Sequence, residues 1–510
     1  MVTAAIPLWA GRDKNMRLIF IGFMLVFLQL FLALPRVAST LWPVSGRDRI
    51  VPGILENHSE ALLRWAEKDI RQAVLINVDA HDDLRWIEPA KIAELQRMKQ
   101  KEDWQALSIA DANGPDGLYN IGSFIYAAHK LGIVSRVYWV IPFPYFQAPE
   151  ADKKLDKFLD DYSFPQKYID TFAMRNGCYH GTYFDIPLVI CGIDSLPRIE
   201  EPVILSIDAD FFPPFSGFYN RDILTAMSVF FSRLAEREYR VQDAIISFSV
   251  DGGYLSVARR WIVEHSEEYL LDPGNLSGPY PRTWLIRGLA DIYYQNDHTE
   301  ALLDLTMRYK HLQDQDLSLK VYYSFALLSS GNAQEAFKTA RTASLTDKRY
   351  AYLLADLGQC LIDRGNLDAA LKFFQEAYEI NSGMNYRQKD LADALLSAGR
   401  YESALRYYNI YRQNNGSFPV DFIMGLTALM MGEESEAGGW FELGFAGLRG
   451  EKYVSAGNEI DIRAIRAAAA YFKQKHMNEK AEFITSHPSL DAVFLQQPKN
   501  TNDHQTDCRQ

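Results

Sequence analysis

Cysteine is scarce: the 510-residue chain contains four. A chain of this length stapled by a disulfide framework would need many more, so that class is excluded. Glycine (31) and proline (21) are too few for a collagen-like or low-complexity protein. Positive charge is in deficit, with 53 Lys and Arg against 65 Asp and Glu, a formal net charge of −12. A general nucleic-acid binder needs a basic face to neutralise phosphate, so no nucleic-acid partner is expected. Long hydrophobic runs are also missing, with one exception near the N-terminus. Residues Leu18–Leu34 (LIFIGFMLVFLQLFLAL) carry no charge and one strongly polar side chain, Gln29. The remaining composition is that of a globular chain, and at about 150 residues per domain its length suggests about three domains.

The apolar run is just long enough to span a bilayer core, which takes about 20 residues. It has no polar face that would sort inside from outside in a globular fold, so a membrane role is expected for this hydrophobic helix. Arg12, Lys14 and Arg17 precede it, and Val37-Ala38-Ser39 offer small residues at a cleavage position. Two readings of residues 1–39 stay open: a cleaved signal peptide, or an uncleaved membrane anchor, which Arg36 beside the cut favours. The basic residues on the two sides nearly tie. The expected orientation is an inside N-terminus, with the main part of the chain exported or membrane-associated outside the cytoplasm.

From residue 50 to 271 the pattern is α/β. The runs Val74–Val78, Val137–Ile141, Val203–Ile207 and Ala244–Val250 are short, apolar and rich in Val and Ile, and they alternate with amphipathic stretches. Such runs suit parallel strands buried on both faces. Residues 272–281 (DPGNLSGPYP) read as a linker. Beyond it, over 282–488, the period changes. Gly331, Gly365, Gly399 and Gly432 are spaced 34, 34 and 33 apart, and each is followed five residues later by an alanine: Ala336, Ala370, Ala404 and Ala437. A degenerate copy has Asn296 and Ala301, and a late one lies near Asn478–Ala481. This all-α solenoid pattern resembles tetratricopeptide repeats, which implies a concave surface for a peptide or protein partner. Residues 496–510 are polar and read as a disordered tail.

One constellation carries chemistry. The first apolar run ends in Asn77-Val78-Asp79-Ala80-His81-Asp82-Asp83, and Asp79, His81 and Asp83 stand two apart. An extended chain points all three to one side. A later run ends in Ser206-Ile207-Asp208-Ala209-Asp210, where the same spacing aligns Asp208 with Asp210, and upstream His58 supplies a second imidazole. Both acidic clusters fall at C-terminal strand ends, where open α/β sheets build their sites. Four carboxylates crowded in a cleft repel unless cations satisfy them. An all-oxygen-and-nitrogen ligand set favours Mn²⁺, with Zn²⁺ and Fe²⁺ as alternatives. Six ligands suit two divalent ions about 3.5–4 Å apart.

Asp-Ala-His-x-Asp, an earlier His and a later Ser-x-Asp-x-Asp resemble the motifs of the arginase/ureohydrolase superfamily, whose fold is shared with histone-deacetylase-like hydrolases. The resemblance covers about residues 50–255, and "NVDAHDDL" with "LSIDADFF" is most similar to a branch related to peptide arginases. It implies a three-layer, parallel-sheet domain and a hydrolase that converts arginine in peptides to ornithine and urea. It also implies that Asp79 and Asp208 bridge two metals, His58 and Asp83 complete one site, and His81 and Asp210 complete the other. Asp83 and His180 are the candidate catalytic groups; His180 reads either as a plain loop histidine or as a substitute for a proton-shuttling histidine. That substitute is needed because the family's His-Gly aligns with Ile121-Gly122 here. Asn120, Ser123 and Asp251 are candidate substrate contacts. The sequence also departs from the family after Asp210, where Phe211-Phe212-Pro213-Pro214 replaces a third Asp before Pro.

Plainer roles suit several other residues. Asp82 reads as a turn residue, His129 as a side chain placed by the helix dipole, and Trp139 as sheet core. Cys178 and Cys191, thirteen apart, either pair outside the cytoplasm or remain buried thiols. Two other functions stay open: a deacetylase-like amidohydrolase, needing one metal, and a membrane-tethered repeat scaffold with a vestigial metal domain.

Overall fold

All four apolar runs form strands, and their alternation of side chains sorts two cores. The computed structural model describes residues 51–112, 117–143, 159, 164–250, 253–276, 279–384, 387–415, 419–450, 459–487 and 490. The hydrophobic run Leu18–Leu34, the whole of residues 1–39, the tail 496–510 and Asp251 lie outside the described residues. Among the described residues no helix is long and apolar enough to cross a membrane.

The strands are β1 (Gly53–Leu55), β2 (Ala73–Val78), β3 (Val134–Val140), β4 (Ala173–Arg175), β5 (Cys178–Tyr183), β6 (Ile186–Cys191), β7 (Val203–Asp208) and β8 (Val241–Ser247). They form an eight-stranded sheet in the order β1-β8-β7-β2-β3-β6-β5-β4. Every residue of β2 and β7 is buried, as expected for central strands covered on both sides. Leu75, Ile204 and Ile245 face one core, with helices α1 (Glu60–Glu67), α2 (Pro89–Gln100), α3 (Trp104–Ile109) and α4 (Phe124–Lys130). Their neighbours Val74, Ile76, Leu205, Ile207 and Ile246 face the other. That side is covered by α6 (Phe212–Phe218), α7 (Ile223–Ala235) and α8 (Trp261–Leu271); a one-turn helix, α5 (Gln166–Ile169), precedes β4.

The sheet is not wholly parallel, which corrects the expectation from sequence. Six strands from β1 to β6 in spatial order run parallel, but β5 pairs antiparallel with β6, and β4 antiparallel with β5. The cause is local. Phe184 and Asp185 both take positive φ (46° and 68°), which closes β5 onto β6 in a two-residue turn too short for a parallel crossover. Neither residue is the glycine or asparagine that normally announces such a turn. Cys178 and Cys191 bridge the open end of this hairpin as a disulfide, so they pair rather than remain thiols.

The helical part consists of six described hairpins. They are α9 (Arg282–Gln295) with α10 (Thr299–Arg308), α11 (Leu317–Ser329) with α12 (Ala333–Thr346), α13 (Ala351–Asp363) with α14 (Leu367–Ile380), α15 (Arg387–Ser397) with α16 (Tyr401–Asn415), α17 (Val420–Met431) with α18 (Glu434–Gly450), and α19 (Glu459–Gln474) with α20 (Asn478–Thr485). Gly331, Gly365, Gly399 and Gly432 sit between paired helices at φ of 74–85°, where a side chain would be strained. Asp297 (φ 53°) and His476 (φ 59°) fill the same left-handed position in the first and last hairpins, which explains why those copies looked degenerate. Ala336, Ala370, Ala404 and Ala437 are fully buried. A Cβ on Gly358 would meet the Phe374 ring at 2.7 Å, so the absent side chain is what lets α13 and α14 approach.

All described residues belong to one compact unit. The second sheet core continues into the helices through Trp261, Trp284, Val321 and Tyr322. The Trp261 indole donates to the Tyr322 hydroxyl at 2.9 Å, and Arg259 pairs with Asp291 at 3.0 Å.

Candidate metal centre

Four strand ends supply the site. At the end of β2 the Asp79 amide still donates to Val140, and the buried Trp139 indole donates to the Asp79 carbonyl at 3.0 Å. The chain then turns: the His81 amide donates to Asp79 Oδ1 at 2.7 Å, and Asp83 takes φ of 53°. Asp208 ends β7 and accepts from the Asp210 amide at 3.1 Å, which starts a short 3₁₀ turn. His58 lies in the turn between β1 and α1, with Ser59 as the residue before the helix. From β8, Ser249 takes φ of 49°, and its hydroxyl donates to Asp208 Oδ2 in a short hydrogen bond. Two non-glycine residues in left-handed backbone, both touching the cluster, fit the tendency of functional sites to hold strained conformations.

The structure brings together all six ligands expected from sequence. His58 Nδ1 is 3.1 Å from Asp79 Oδ2, 3.1 Å from Asp83 Oδ2 and 3.3 Å from Asp208 Oδ2. His81 Nδ1 is 2.8 Å from Asp210 Oδ2 and 3.6 Å from Asp79 Oδ1. Two groups with metal-ligating geometry result, His58-Asp79-Asp83 and Asp79-His81-Asp210, and they share Asp79. His58, Asp79, Asp83, Asp208 and Asp210 are buried; only His81 is open, its side chain 43% exposed. His58 Nε2 is 2.6 Å from the Ser206 hydroxyl, yet its Nδ1 has no hydrogen-bond partner. With Nε2 at the serine, Nδ1 faces three carboxylates, a place that a proton or a divalent cation can fill. A divalent cation resolves that arrangement, so the donor set fits one.

Electrostatics give the same result. Burial, then the charges of Asp208 and Asp79, pushes the Asp210 carboxyl up to about 8. Burial and Asp79 likewise drive Asp83 well upward. Burial opposes a charge on His58 and His81, but the neighbouring carboxylates outweigh it and raise both, His81 to about 12. Alone, the cluster favours its protonated forms; bound cations would replace those protons.

The other candidates fare differently. Asn120 and Ser123 lie in the turn before α4, where the Ser123 hydroxyl donates to Asn120 Oδ1 at 3.1 Å. This turn borders the site, because the Arg85 amide donates to Gly122 and the Phe124 ring lies 4.8 Å from the His58 ring. His180 does not reach the cluster. It sits on β5 opposite Val189, three strands from β2, or about 14 Å at the usual strand spacing. Its charged neighbours are Arg175 and Arg136, which, after burial, lower its pKa. His180 is therefore not placed to shuttle protons at the cluster: the β5–β6 hairpin carries it away from the strand ends that build the site. Asp82 accepts from the Leu84 amide as a turn residue, and His129 Nδ1 bonds the Val134 carbonyl.

Sequence reasoning missed four contributors. Ser206 lies inside the Ser-x-Asp-x-Asp motif, but no role was read from it. Ser249 and Tyr254 belong to the stretch 247–254, whose one carboxylate, Asp251, is the more conspicuous candidate in the sequence. The Tyr254 ring lies 4.6 Å from the His81 ring, at the open side of the cluster. Arg260, 2% exposed, pairs with Glu56 through two contacts at 2.6 and 2.9 Å.

Comparison with known proteins adds little to this picture. No protein-family profile matches the chain, and no curated protein matches it. Among solved structures it is similar to "Crystal structure of MamA" at 16% identity and a TM-score of 0.24, covering 32% of this chain and 91% of that one. A second structure, "Crystal structure of MamA protein", matches at 15% identity and a TM-score of 0.26, covering 32% and 90%.

Proposed function

We propose that the chain is a dinuclear-metal hydrolase of the arginase type, acting on the guanidinium of arginine within a peptide or protein to give ornithine and urea. The observation that carries this reading is the buried His58 Nδ1 atom, without a hydrogen bond and ringed by Asp79, Asp83 and Asp208 at 3.1–3.3 Å. The second ligand group, through His81 and Asp210, favours two ions over the single ion of a deacetylase-type site. Divalent ions held there, Mn²⁺ foremost for this ligand set, supply Lewis acidity.

The chain's own residues perform the rest. Ser206 fixes the His58 ring, and Ser249 with the Asp210 amide fixes both oxygens of Asp208. Burial of five ligands keeps bulk water from the inner side. Substrate enters past His81, where the half-exposed Tyr254 offers an aromatic face and a hydroxyl. Asn120 and Ser123 lie in the turn beside the His58 ring. The hairpin array, tetratricopeptide-like in its 34-residue period, is suited to hold an extended peptide. The Cys178–Cys191 disulfide and the N-terminal hydrophobic run favour an oxidising location outside the cytoplasm.

The test is urea release from arginine-containing peptides by the Mn²⁺-loaded full chain, with metal per chain measured in parallel. Urea with two ions per chain supports the reading. No urea from a diverse peptide set, with metal demonstrably bound, overturns it. Acetate from acetyl-lysine peptides with one ion per chain favours the deacetylase alternative.

A further inference from the structure

Glu56 stands two residues before His58 and is held from two directions. Arg260 grips it from within: its guanidinium is 2.6 Å from Oε1 and 2.9 Å from Oε2, and it stacks 3.8 Å from the Phe248 ring centre. Arg349 reaches Glu56 Oε1 from the hairpin array at 3.3 Å, and lies 6.0 Å from the same Phe248 ring. Tyr350, beside Arg349, lies 5.5 Å from the Arg260 guanidinium. The residues so gripped are the ones that lead into the metal cluster. Phe248 precedes Ser249, which bonds Asp208, and Glu56 precedes Asn57 and His58. The two loops are also tied together, because the Phe248 amide donates to Leu55 and the Ser249 amide to Glu56. Arg349 itself is oriented by Asp347 at 2.6 Å, within the turn that joins α12 to α13.

We propose that Arg260 and Arg349 are positioning residues that clamp the His58 and Ser249 loops, so that the hairpin array sets the metal affinity of the site. An aromatic face under a guanidinium and a carboxylate at its edge fix orientation as well as distance, since the planar fork of arginine permits few alternatives. A lysine at position 260 could keep the charge but not the stack with two contacts. In consequence the array is part of the site and not only a peptide holder, and what binds to the α12–α13 turn acts on His58 through Glu56.

This inference rests on the metal-site reading above, and the experiment separates the two. Mn²⁺ alone is titrated calorimetrically into the full chain and into Arg349→Ala, Arg349→Lys, Arg260→Lys and Glu56→Gln, with Tm of each metal-free protein recorded. Outer-shell partners of metal ligands typically change affinity 10- to 100-fold. Arg349→Ala, whose side chain is about half exposed, is expected to keep its Tm and weaken Mn²⁺ binding about tenfold, at the lower end of that range. Arg349→Lys should recover part of the loss; Glu56→Gln and Arg260→Lys should weaken binding at least as much. Unchanged affinity in Arg349→Ala and Glu56→Gln, with metal bound by the parent chain, overturns the clamp and leaves the metal site standing. A parent chain that takes up no divalent ion overturns both.

Discussion

His58 Nδ1 stands 3.1 Å from Asp83 Oδ2 and makes no hydrogen bond to it. One N–H cannot aim at three oxygens at once, and a neutral nitrogen lone pair repels all of them. The ring can meet these carboxylates as an imidazolium, which they favour, or as a neutral ligand beside a bound cation. Uptake of Mn²⁺ should stabilise the folded chain by about 2.7 kcal/mol at a free concentration 100-fold above Kd. Asp79→Asn, which alters the shared ligand of both groups, should abolish that gain; a chelator should reverse it in the parent chain. Thermal melts with and without Mn²⁺ decide the matter, and an equal Mn²⁺ shift in Asp79→Asn refutes it.

The ligands were legible as acidic and imidazole side chains crowded at two strand ends, although a turn brings them together and not the extended chain that their spacing suggests: after β2 the His81 amide folds back onto Asp79 and Asp83 takes φ of 53°. Asp208 and Asp210 likewise meet through a 3₁₀ turn that starts where β7 ends. Ser249, Tyr254 and Arg260 were not legible, since each acts through a contact made across the sheet or between loops that no local spacing encodes. The position of His180 failed for a related reason. The turn Phe184-Asp185 closes a hairpin without glycine or asparagine, so the reversal of direction at the sheet edge left no mark in the sequence. In the helical half, the four glycines and four alanines were read correctly because each answers a local demand, a left-handed turn or a close helix approach.

His265 gives a pH dependence remote from the cluster. It is fully buried, stacked on Trp284 at 3.9 Å, and accepts from Arg287, which also pairs with Glu264 and Asp316. Burial, then the Arg287 charge, drives its pKa well below the ordinary value. The unfolded chain therefore binds the extra proton first. Stability should fall as pH drops below the unfolded value of about 6.5, by up to about 1.4 kcal/mol per pH unit, until the folded pKa is reached. His265→Phe keeps the stack and removes the titration. Urea midpoints at pH 7.5 and 5.5 should differ less in His265→Phe than in the parent chain; an equal difference rules out this assignment.

Two glycines in the array should respond to alanine for different reasons. Gly358→Ala drives a methyl into the Phe374 ring and should cost about 1–3 kcal/mol by overpacking. Gly331→Ala meets nothing within 4 Å but keeps φ near 85°, so it should cost about 1–2 kcal/mol from the backbone alone. Phe374→Leu in the same chain should recover stability lost in Gly358→Ala and none lost in Gly331→Ala. Denaturant midpoints of the parent, the three single variants and the two double variants test this, and rescue of both would show that the two losses share a cause.

Ser249 separates a hydroxyl from a backbone. Its Oγ holds Asp208 Oδ2, while its φ of 49° is a conformation that glycine adopts without strain. Ser249→Ala removes the hydrogen bond and keeps the strain; Ser249→Gly removes both. If the hydroxyl orients Asp208 for metal, the two variants should lose Mn²⁺ affinity alike, by about tenfold. Their metal-free stabilities should then part, with the glycine variant the more stable by about 1 kcal/mol, the cost of a left-handed residue with a Cβ. Equal stability would mean that the turn carries no strain. Unchanged Mn²⁺ affinity in both would mean that Asp208 is positioned by the Asp210 amide alone, and that the loop after β8 closes the site without tuning it.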